Sequence, residues 1–166
     1  KEFDMRNVSG ILHTGGTIIG TSRTNPFRED NKGDPERILE NIKKFNLDAI
    51  VAIGGEDTQG VAYKLSQMGV NVVGVPKTID NDLPGTDYTF GFDTAVNIAV
   101  EAIDRIHTTA ESHNRVMVVE VMGRHAGWIA THAGIAGGAD LILIPEKPIV
   151  MEEVYTTIKK RHNRGK

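Results

Sequence analysis

Residues 76–82 carry the densest group of chemically useful side chains in the sequence. The stretch reads Pro76-Lys77-Thr78-Ile79-Asp80-Asn81-Asp82 and directly follows the apolar strand pattern of residues 70–75, which we expect Pro76 to end. In an alternating strand–helix chain, ligands bind at the carboxyl ends of the strands. A carboxylate that accepts a proton, a cation that holds an anion and a hydroxyl donor would then lie together. That combination suits phosphoryl transfer.

A second polar cluster, Gly54-Gly55-Glu56-Asp57-Thr58, follows the apolar run 49–53. We expect that run to be a strand buried on both faces, and a helix to open at about residue 58. The glycine pair lets a ligand approach the backbone, and the N-terminus of a helix attracts an anion. The two carboxylates either complement the helix dipole or bind Mg²⁺, which prefers carboxylate oxygens and accompanies phosphates.

Two further glycine-bearing turns carry a cation. Residues 122–127, Met122-Gly123-Arg124-His125-Ala126-Gly127, follow the strand pattern of residues 115–121. Arg124 there either binds a phosphate through two hydrogen bonds or pairs with a local acid. Upstream, Gly15-Gly16-Thr17 with Arg23 either wraps an anion with backbone N–H groups or forms a plain flexible turn.

The composition excludes several classes of function. The chain has 166 residues with a net charge of −3, so it can form one domain, 1–166, but lacks the basic footprint of a nucleic-acid-binding protein. It contains no Cys, which excludes disulfides and thiolate metal sites. No apolar run approaches the roughly 20 residues of a membrane span, and no signal peptide is visible. We therefore expect a cytoplasmic protein with no membrane partner.

Strand and helix patterns alternate along the chain after residues 1–9, which we expect to be frayed. The predicted strands are 10–14, 49–53, 70–75, 115–121 and 141–144, and the predicted helices are about 34–45, 58–68, 92–110, 128–137 and 151–161. This alternation indicates an α/β fold with a doubly wound, mostly parallel, Rossmann-like sheet. Right-handed crossovers would bring the loops 54–58, 76–82 and 122–127 to one edge of that sheet.

With these stretches in view, the chain resembles the phosphofructokinases, and among them the pyrophosphate-dependent type. Residues 54–58 resemble the family's nucleotide or pyrophosphate loop, and residues 76–82 resemble its catalytic loop. Residues 122–124 resemble its sugar-phosphate loop, and Gly15-Gly16-Thr17 with Arg23 resembles its upstream donor loop. The resemblance covers residues 10–166 and implies the family's N-terminal, donor-binding domain.

The resemblance also implies roles for individual residues. Asp80 would take the proton from the 1-hydroxyl of fructose 6-phosphate, and Asp82 would support the metal and the charge balance around it. Thr78 and Arg124 would stabilise the phosphoryl group during its transfer, and Glu56 would bind Mg²⁺. The implied donor-binding residues are Gly15, Arg23, Gly55, Asp57, Thr58 and Lys77. The implied substrate-binding residues are Thr78, Asp80, Arg115, Met122, Gly123 and Arg124.

Two positions bear on the phosphoryl donor. ATP-using members of the family typically carry Gly at the positions of Asp57 and Lys77, whereas pyrophosphate-dependent members match this sequence. An Asp side chain would crowd and repel the α-phosphate of a nucleotide, and a Lys could hold the terminal phosphate of a smaller donor. These two positions therefore favour pyrophosphate over ATP as the donor, and Asp57 is the stronger indication. A pyrophosphate-dependent reaction would run in both directions.

The resemblance further implies that a strand precedes residue 1 and that a second, similar domain follows residue 166. We therefore expect an internal fragment with little activity in isolation. Arg115 matches a residue that reaches a neighbouring subunit's substrate, so we expect a homo-oligomer. Three functions remain open: a pyrophosphate-dependent phosphotransferase, an ATP-dependent kinase of the same family, and a catalytically silent regulatory or nucleotide-sensing module.

Overall fold

The computed structural model describes residues 2–28 and 33–164, which form a small parallel sheet with flanking helices. The strands are β1 (Ile50–Gly54), β2 (Val72–Thr78) and β3 (Phe90–Gly91). The helices are α1 (Met5–Val8), α2 (Pro35–Lys44), α3 (Glu56–Gln67), α4 (Phe92–Ser112), α5 (Trp128–Ala136) and α6 (Met151–Asn163). The predicted α/β class and the parallel sheet are confirmed.

The sheet has the order β1-β2-β3, and both pairs of strands are parallel. The pairing of β1 with β2 ends where Gly54 lies opposite Pro76. The prediction that Pro76 ends its strand is wrong, because β2 continues to Thr78. A proline removes only its own N–H donor, and Lys77 and Thr78 then pair with Phe90 and Gly91 of β3.

Three predicted strands do not form in the described residues. Residues 11–14 make a turn, closed by the Thr14 N–H donating to the Ile11 carbonyl at 2.9 Å. Residues 116–121 and 141–143 make no backbone ladder and instead line a cavity of about 390 Å³ with α4, α5 and α6. The two segments line the same cavity, but neither makes the backbone hydrogen bonds with another described segment that a strand requires.

Within residues 2–28 and 33–164, helix packing covers one face of the β1–β2 pair. On that face, α3 packs against β1 and β2 through the buried side chains of Ala62 and Leu65. The side chains of Val51 and Ile53 are 61% and 57% exposed, so the prediction of a strand buried on both faces is wrong. Alternate side chains of a strand point to opposite faces, and no described helix packs on the second face of β1.

Local sequence signals account for the starts of α1 and α2. Asp34 caps α2 by accepting from the Arg37 N–H at 2.9 Å, and Pro35 occupies the first turn. The helix predicted at about residue 58 begins at Glu56, which places both acids in the first turn of α3. Residues 5–8, predicted to be frayed, form a short helix because Asp4 and Asn7 make a capping box.

A second packed region joins α4 to α5. Ile103 and Ala110 of α4 and Ile129 and Ala133 of α5 are buried. The His107 Nε2 atom lies 2.6 Å from the Gly137 carbonyl oxygen, which ties the middle of α4 to the end of α5. No helix within 2–28 and 33–164 has both the length and the hydropathy of a membrane span.

Candidate active site

The predicted catalytic stretch, 76–82, begins in the last three residues of β2 and turns away from the sheet after Thr78. The Asp80 N–H donates to the Thr78 hydroxyl at 3.2 Å, and the same hydroxyl lies 3.4 Å from Asp80 Oδ2. Asp80 is half-buried, and its carboxylate pairs with no cation in the part of the chain that the structure describes. A carboxylate held beside a hydroxyl and free of an ion pair can accept a proton.

The side chains of Asn81, within the turn, and of Thr89, outside it, hold this turn through hydrogen bonds. Asn81 has a φ of 53°, in the left-handed region that Asn tolerates better than most residues. Its Oδ1 accepts from the Thr89 N–H at 2.9 Å, and its Nδ2 donates to the Asp87 carbonyl at 3.3 Å. The Thr89 hydroxyl donates to the Thr78 carbonyl at 2.7 Å. Side chains on either side of Asp80 therefore fix its backbone.

The glycine pair lies directly beside Thr78. A Cβ atom on Gly54 would run into the Thr58 side chain, so this glycine is needed for α3 to pack on the end of β1. A Cβ on Gly55 would lie 3.6 Å from Thr78 Cβ, an ordinary contact. The Thr58 hydroxyl is thus directed to the strand end, while Gly55 opens space between the loops 54–58 and 76–82.

An ion pair joins the first of these loops to the turn 122–127. Arg124 Nη1 lies 3.4 Å from Glu56 Oε2, and both side chains are more than half exposed, at 55% and 66%. Arg124 was expected either to bind phosphate or to pair with a local acid, and in the structure it pairs with an acid from a distant loop. A phosphate arriving at this exposed pair could compete with Glu56 for the guanidinium, since Arg binds both anions.

The backbone of the turn 122–127 depends on one glycine. Gly123 is buried with a φ of 150°, and a Cβ there would collide with the Ala126 carbonyl. The next residue, Arg124, has a φ of 54°, and the turn closes through the Ala126 N–H donating to the Gly123 carbonyl at 2.8 Å. Met122 and Arg124 stay exposed, so their side chains are available to a ligand.

The remaining predicted residues divide into two groups. Asp57 in the first turn of α3, Lys77 in β2 and Asp82 after β2 lie near the carboxyl end of the sheet, Asp57 and Lys77 with exposed side chains. Gly15 and Arg23 lie in an exposed loop, and no hydrogen bond or ion pair within the described ranges joins them to the other loops. Arg115 directly follows α4, at the other end of segment 115–121 from Arg124, where its N–H donates to the Ala110 carbonyl at 2.9 Å.

The carboxylates suit a magnesium ion only together with a phosphate ligand. No group of three or more His, Cys, Asp or Glu side chains suitable for a metal occurs among the described residues. Mg²⁺ is usually held by one or two carboxylates, substrate phosphates and water, rather than by a complete protein cage. Glu56 and Asp57, adjacent and exposed in the first turn of α3, fit that limited role.

Gln59 is a further residue at this edge that the sequence does not single out. Its side-chain Nε2 lies 3.2 Å from the Ala52 carbonyl oxygen, 3.1 Å from that of Gly54 and 2.9 Å from that of Val75. Asn81 and Thr89 were likewise assigned no role from the sequence. An Asn after a strand indicates a possible left-handed residue, so Asn81 could have been singled out from the sequence. Gln59 has no such signal, because its sequence context is that of an ordinary polar helix residue.

The chain matches known proteins over its whole length. The profile of the family described as Phosphofructokinase matches residues 1–166. A pyrophosphate–fructose 6-phosphate 1-phosphotransferase of Amycolatopsis methanolica is 62% identical over 99% of this chain and 48% of its own length. An ATP-dependent 6-phosphofructokinase 3 of Bacteroides thetaiotaomicron is 52% identical over 100% of this chain and 51% of its own.

A solved structure agrees. The phosphofructokinase of Saccharomyces cerevisiae superposes with a TM-score of 0.80 at 34% identity, covering 99% of this chain and 25% of that one. Four relatives with pyrophosphate in their names are 57–62% identical to this chain, and four named as ATP-dependent are 52–55% identical. The chain spans about half the length of these curated relatives. Because the family profile covers residues 1–166, the chain belongs to the phosphofructokinase family.

Proposed function

We propose that the protein transfers a phosphoryl group from pyrophosphate to the 1-hydroxyl of fructose 6-phosphate. The observation that carries the proposal is the convergence of three loops on the carboxyl end of the sheet. Gly55 lies against Thr78, and the ion pair of Glu56 with Arg124 brings in the turn 122–127. In this proposal the Asp80 carboxylate and the Thr78 hydroxyl meet the group in transfer, together with the two cations Lys77 and Arg124.

The proposed reaction is an in-line displacement at phosphorus. The 1-hydroxyl oxygen of the sugar attacks the terminal phosphorus of pyrophosphate, its proton passes to Asp80, and the bridging P–O bond breaks to release phosphate. Thr78 and Arg124 donate hydrogen bonds to the oxygens of the group in transfer, where negative charge is spread. Lys77 and Gly55 bind the donor, and Met122 and Gly123 flank the sugar phosphate.

Magnesium would be held by Glu56, with Asp57 beside it and the donor phosphates completing the ligands. When bound, the ion would supply charge neutralisation on the phosphate oxygens. Asp82 would support the metal and the charge balance around Asp80. We further propose that the protein is a cytoplasmic homo-oligomer in which Arg115, remote from Arg124 along its segment, serves the site of a neighbouring subunit.

An ATP-dependent reaction at the same site is the second candidate. It is favoured by the relatives named as ATP-dependent, which are only a few per cent less similar than the others. Asp57 argues against it, because an exposed carboxylate in the first turn of α3 would repel the additional phosphate of a nucleotide.

The experiment is a coupled assay of the full-length protein with fructose 6-phosphate, Mg²⁺ and either donor. We expect turnover with pyrophosphate and a much smaller kcat/KM with ATP. The reverse preference would replace the first candidate by the second. Absence of turnover with both donors, together with binding of nucleotide that neither phosphate nor pyrophosphate displaces, would favour a silent sensing module.

A further inference from the structure

The Gln59 side chain connects α3 to the carboxyl ends of both β1 and β2 through hydrogen bonds. Its backbone N–H donates to the Gly55 carbonyl at 3.0 Å, and its side-chain amide donates to the Gly54 carbonyl at 3.1 Å. One residue therefore holds both members of the glycine pair. The same amide reaches the Val75 carbonyl at 2.9 Å, in the residue immediately before Pro76.

The identity of the side chain follows from its acceptors. Nε2 faces three carbonyl oxygens, those of Ala52, Gly54 and Val75, at 2.9–3.2 Å. An amide nitrogen carries two hydrogens and can be shared among such acceptors, whereas a carboxylate of the same shape carries none. A Glu at this position would place negative charge against three carbonyl oxygens.

Gly74 provides a second, independent indication that the Gln59 amide occupies a space left open by its neighbours. A Cβ atom on Gly74, in the middle of β2, would collide with Gln59 Oε1. Gly74 does not have a left-handed backbone. Glycine is therefore required at this position because a side chain would collide with Gln59, and not because of the backbone conformation. A methyl group on residue 74 would push against Oε1 and displace the Gln59 amide from its carbonyl acceptors.

We propose that Gln59 is a positioning residue for the transfer reaction, which sets the spacing between the loops 54–58 and 76–82. This inference rests on the proposed function. Gln59 touches no reacting atom in the proposed scheme, but Gly55 and Thr78, which flank the transferred group, lie on the two backbones that it joins. A displacement of about 1 Å between such groups lowers turnover on the order of 10²-fold.

The first test compares Gln59→Met and Gln59→Glu with Gln67→Met in the full-length protein. Gln67 ends the same helix, is exposed and makes no side-chain hydrogen bond with the described residues. We expect both Gln59 variants to lose about 10- to 100-fold in kcat with little change in the KM for the sugar phosphate, and Gln67→Met to match the wild type. A Gln59→Glu protein with wild-type kcat, or an equal loss in Gln67→Met, would overturn the proposal.

The second test is a double-mutant cycle with Gly74→Ala. This substitution should lower kcat where Gln59 is present and have little further effect in a Gln59→Ala background, because the methyl group then has no amide to displace. Additive losses in the two backgrounds would show that Gly74 and Gln59 act separately, which contradicts the proposal.

A third measurement separates this inference from the proposed function. Failure of the wild-type protein to turn over either donor would refute the function and leave the contact to be judged by hydrogen exchange. We expect Gln59→Met, but not Gln67→Met, to speed amide exchange in residues 52–58 and 75–80 together. Unchanged exchange in both segments would refute the positioning role irrespective of the reaction.

Discussion

Glu56 and Arg124 are separated by 68 residues in sequence, yet Arg124 Nη1 lies 3.4 Å from Glu56 Oε2. The contact links the first turn of α3 to the turn that precedes α5. Both side chains are largely exposed, so the pair contributes at most about 1 kcal/mol to the free energy of unfolding. Its significance is that it places an arginine and a carboxylate together next to Gly55, the residue that lies against Thr78.

Replacement of Arg124 by Ala should therefore separate stability from activity. We expect the free energy of unfolding to change by less than about 1 kcal/mol, because the pair is exposed. We expect kcat to fall on the order of 10²- to 10³-fold, because a charged donor to the transferred group is lost. Urea unfolding and the pyrophosphate-dependent assay measure the two quantities.

Arg105→Ala is the matched control, since Arg105 makes an exposed ion pair with Glu101 at 3.8 Å on the surface of α4. It should leave both kcat and stability near their wild-type values. Equal losses of activity in the two variants would mean that Arg124 has no special role.

Substitution of Asp57 by Gly should shift donor preference toward ATP. The change removes an exposed negative charge from the first turn of α3, where a nucleotide would add phosphate. We expect the ratio of kcat/KM for ATP to that for pyrophosphate to rise about tenfold, equivalent to ~1.4 kcal/mol.

Asp93→Gly controls for the helix itself, because Asp93 is also the second residue of a helix, α4. The control should destabilise the protein to a similar extent without altering the ratio. A ratio that stays constant in Asp57→Gly would exclude Asp57 as the gate for the donor.

Thr89→Val should disturb the catalytic turn through a lost hydrogen bond. Thr89 is only 4% exposed, and its hydroxyl donates to the Thr78 carbonyl at 2.7 Å. Val has nearly the same shape but leaves that carbonyl unpaired, which destabilises by about 1–3 kcal/mol. Urea unfolding should show this loss for Val and a smaller one for Thr89→Ser, which keeps the donor. A Val variant more stable than the Ser variant would contradict the assignment.

Asn81→Gly should lower both stability and kcat although its backbone conformation is retained. Glycine adopts the φ of 53° readily but forms neither of the Asn81 side-chain bonds, so we expect a loss of about 1–3 kcal/mol. Asn114, with a φ of 48° and no side-chain hydrogen bond to described residues, is the matched position. Asn114→Gly should leave kcat unchanged, and a parallel loss there would assign the effect to the backbone alone.

The sequence predicted the elements whose signals are local. The apolar runs of β1 and β2, the Asp34 cap of α2 and the loops that follow the strands depend on neighbouring residues, and the structure contains them. The proposed catalytic turn was recognisable because Thr78 and Asp80 are two residues apart, and the Asp80 N–H donates to the Thr78 hydroxyl.

Features that depend on distant partners were not predictable from local pattern. Pro76 lies within β2 because β3 pairs with the residues after it, although β3 begins twelve residues beyond the end of β2. Residues 115–121 have a strand-like sequence, but residues 116–121 form no backbone hydrogen bond with another described segment. The partner of Arg124 and the role of Gln59 likewise arise only when separate loops and strands are brought together.

The proton-accepting role of Asp80 is tested most directly by the kcat of Asp80→Asn in the full-length protein. Asp87→Asn is the control, since Asp87 lies in the same loop, is exposed and contributes only its backbone carbonyl to the described contacts. We expect Asp80→Asn to lose about 10²- to 10⁴-fold in kcat with a similar KM for fructose 6-phosphate, and Asp87→Asn to remain near the wild type. An Asp80→Asn protein that turns over within a few-fold of the wild type would contradict the role assigned to this carboxylate.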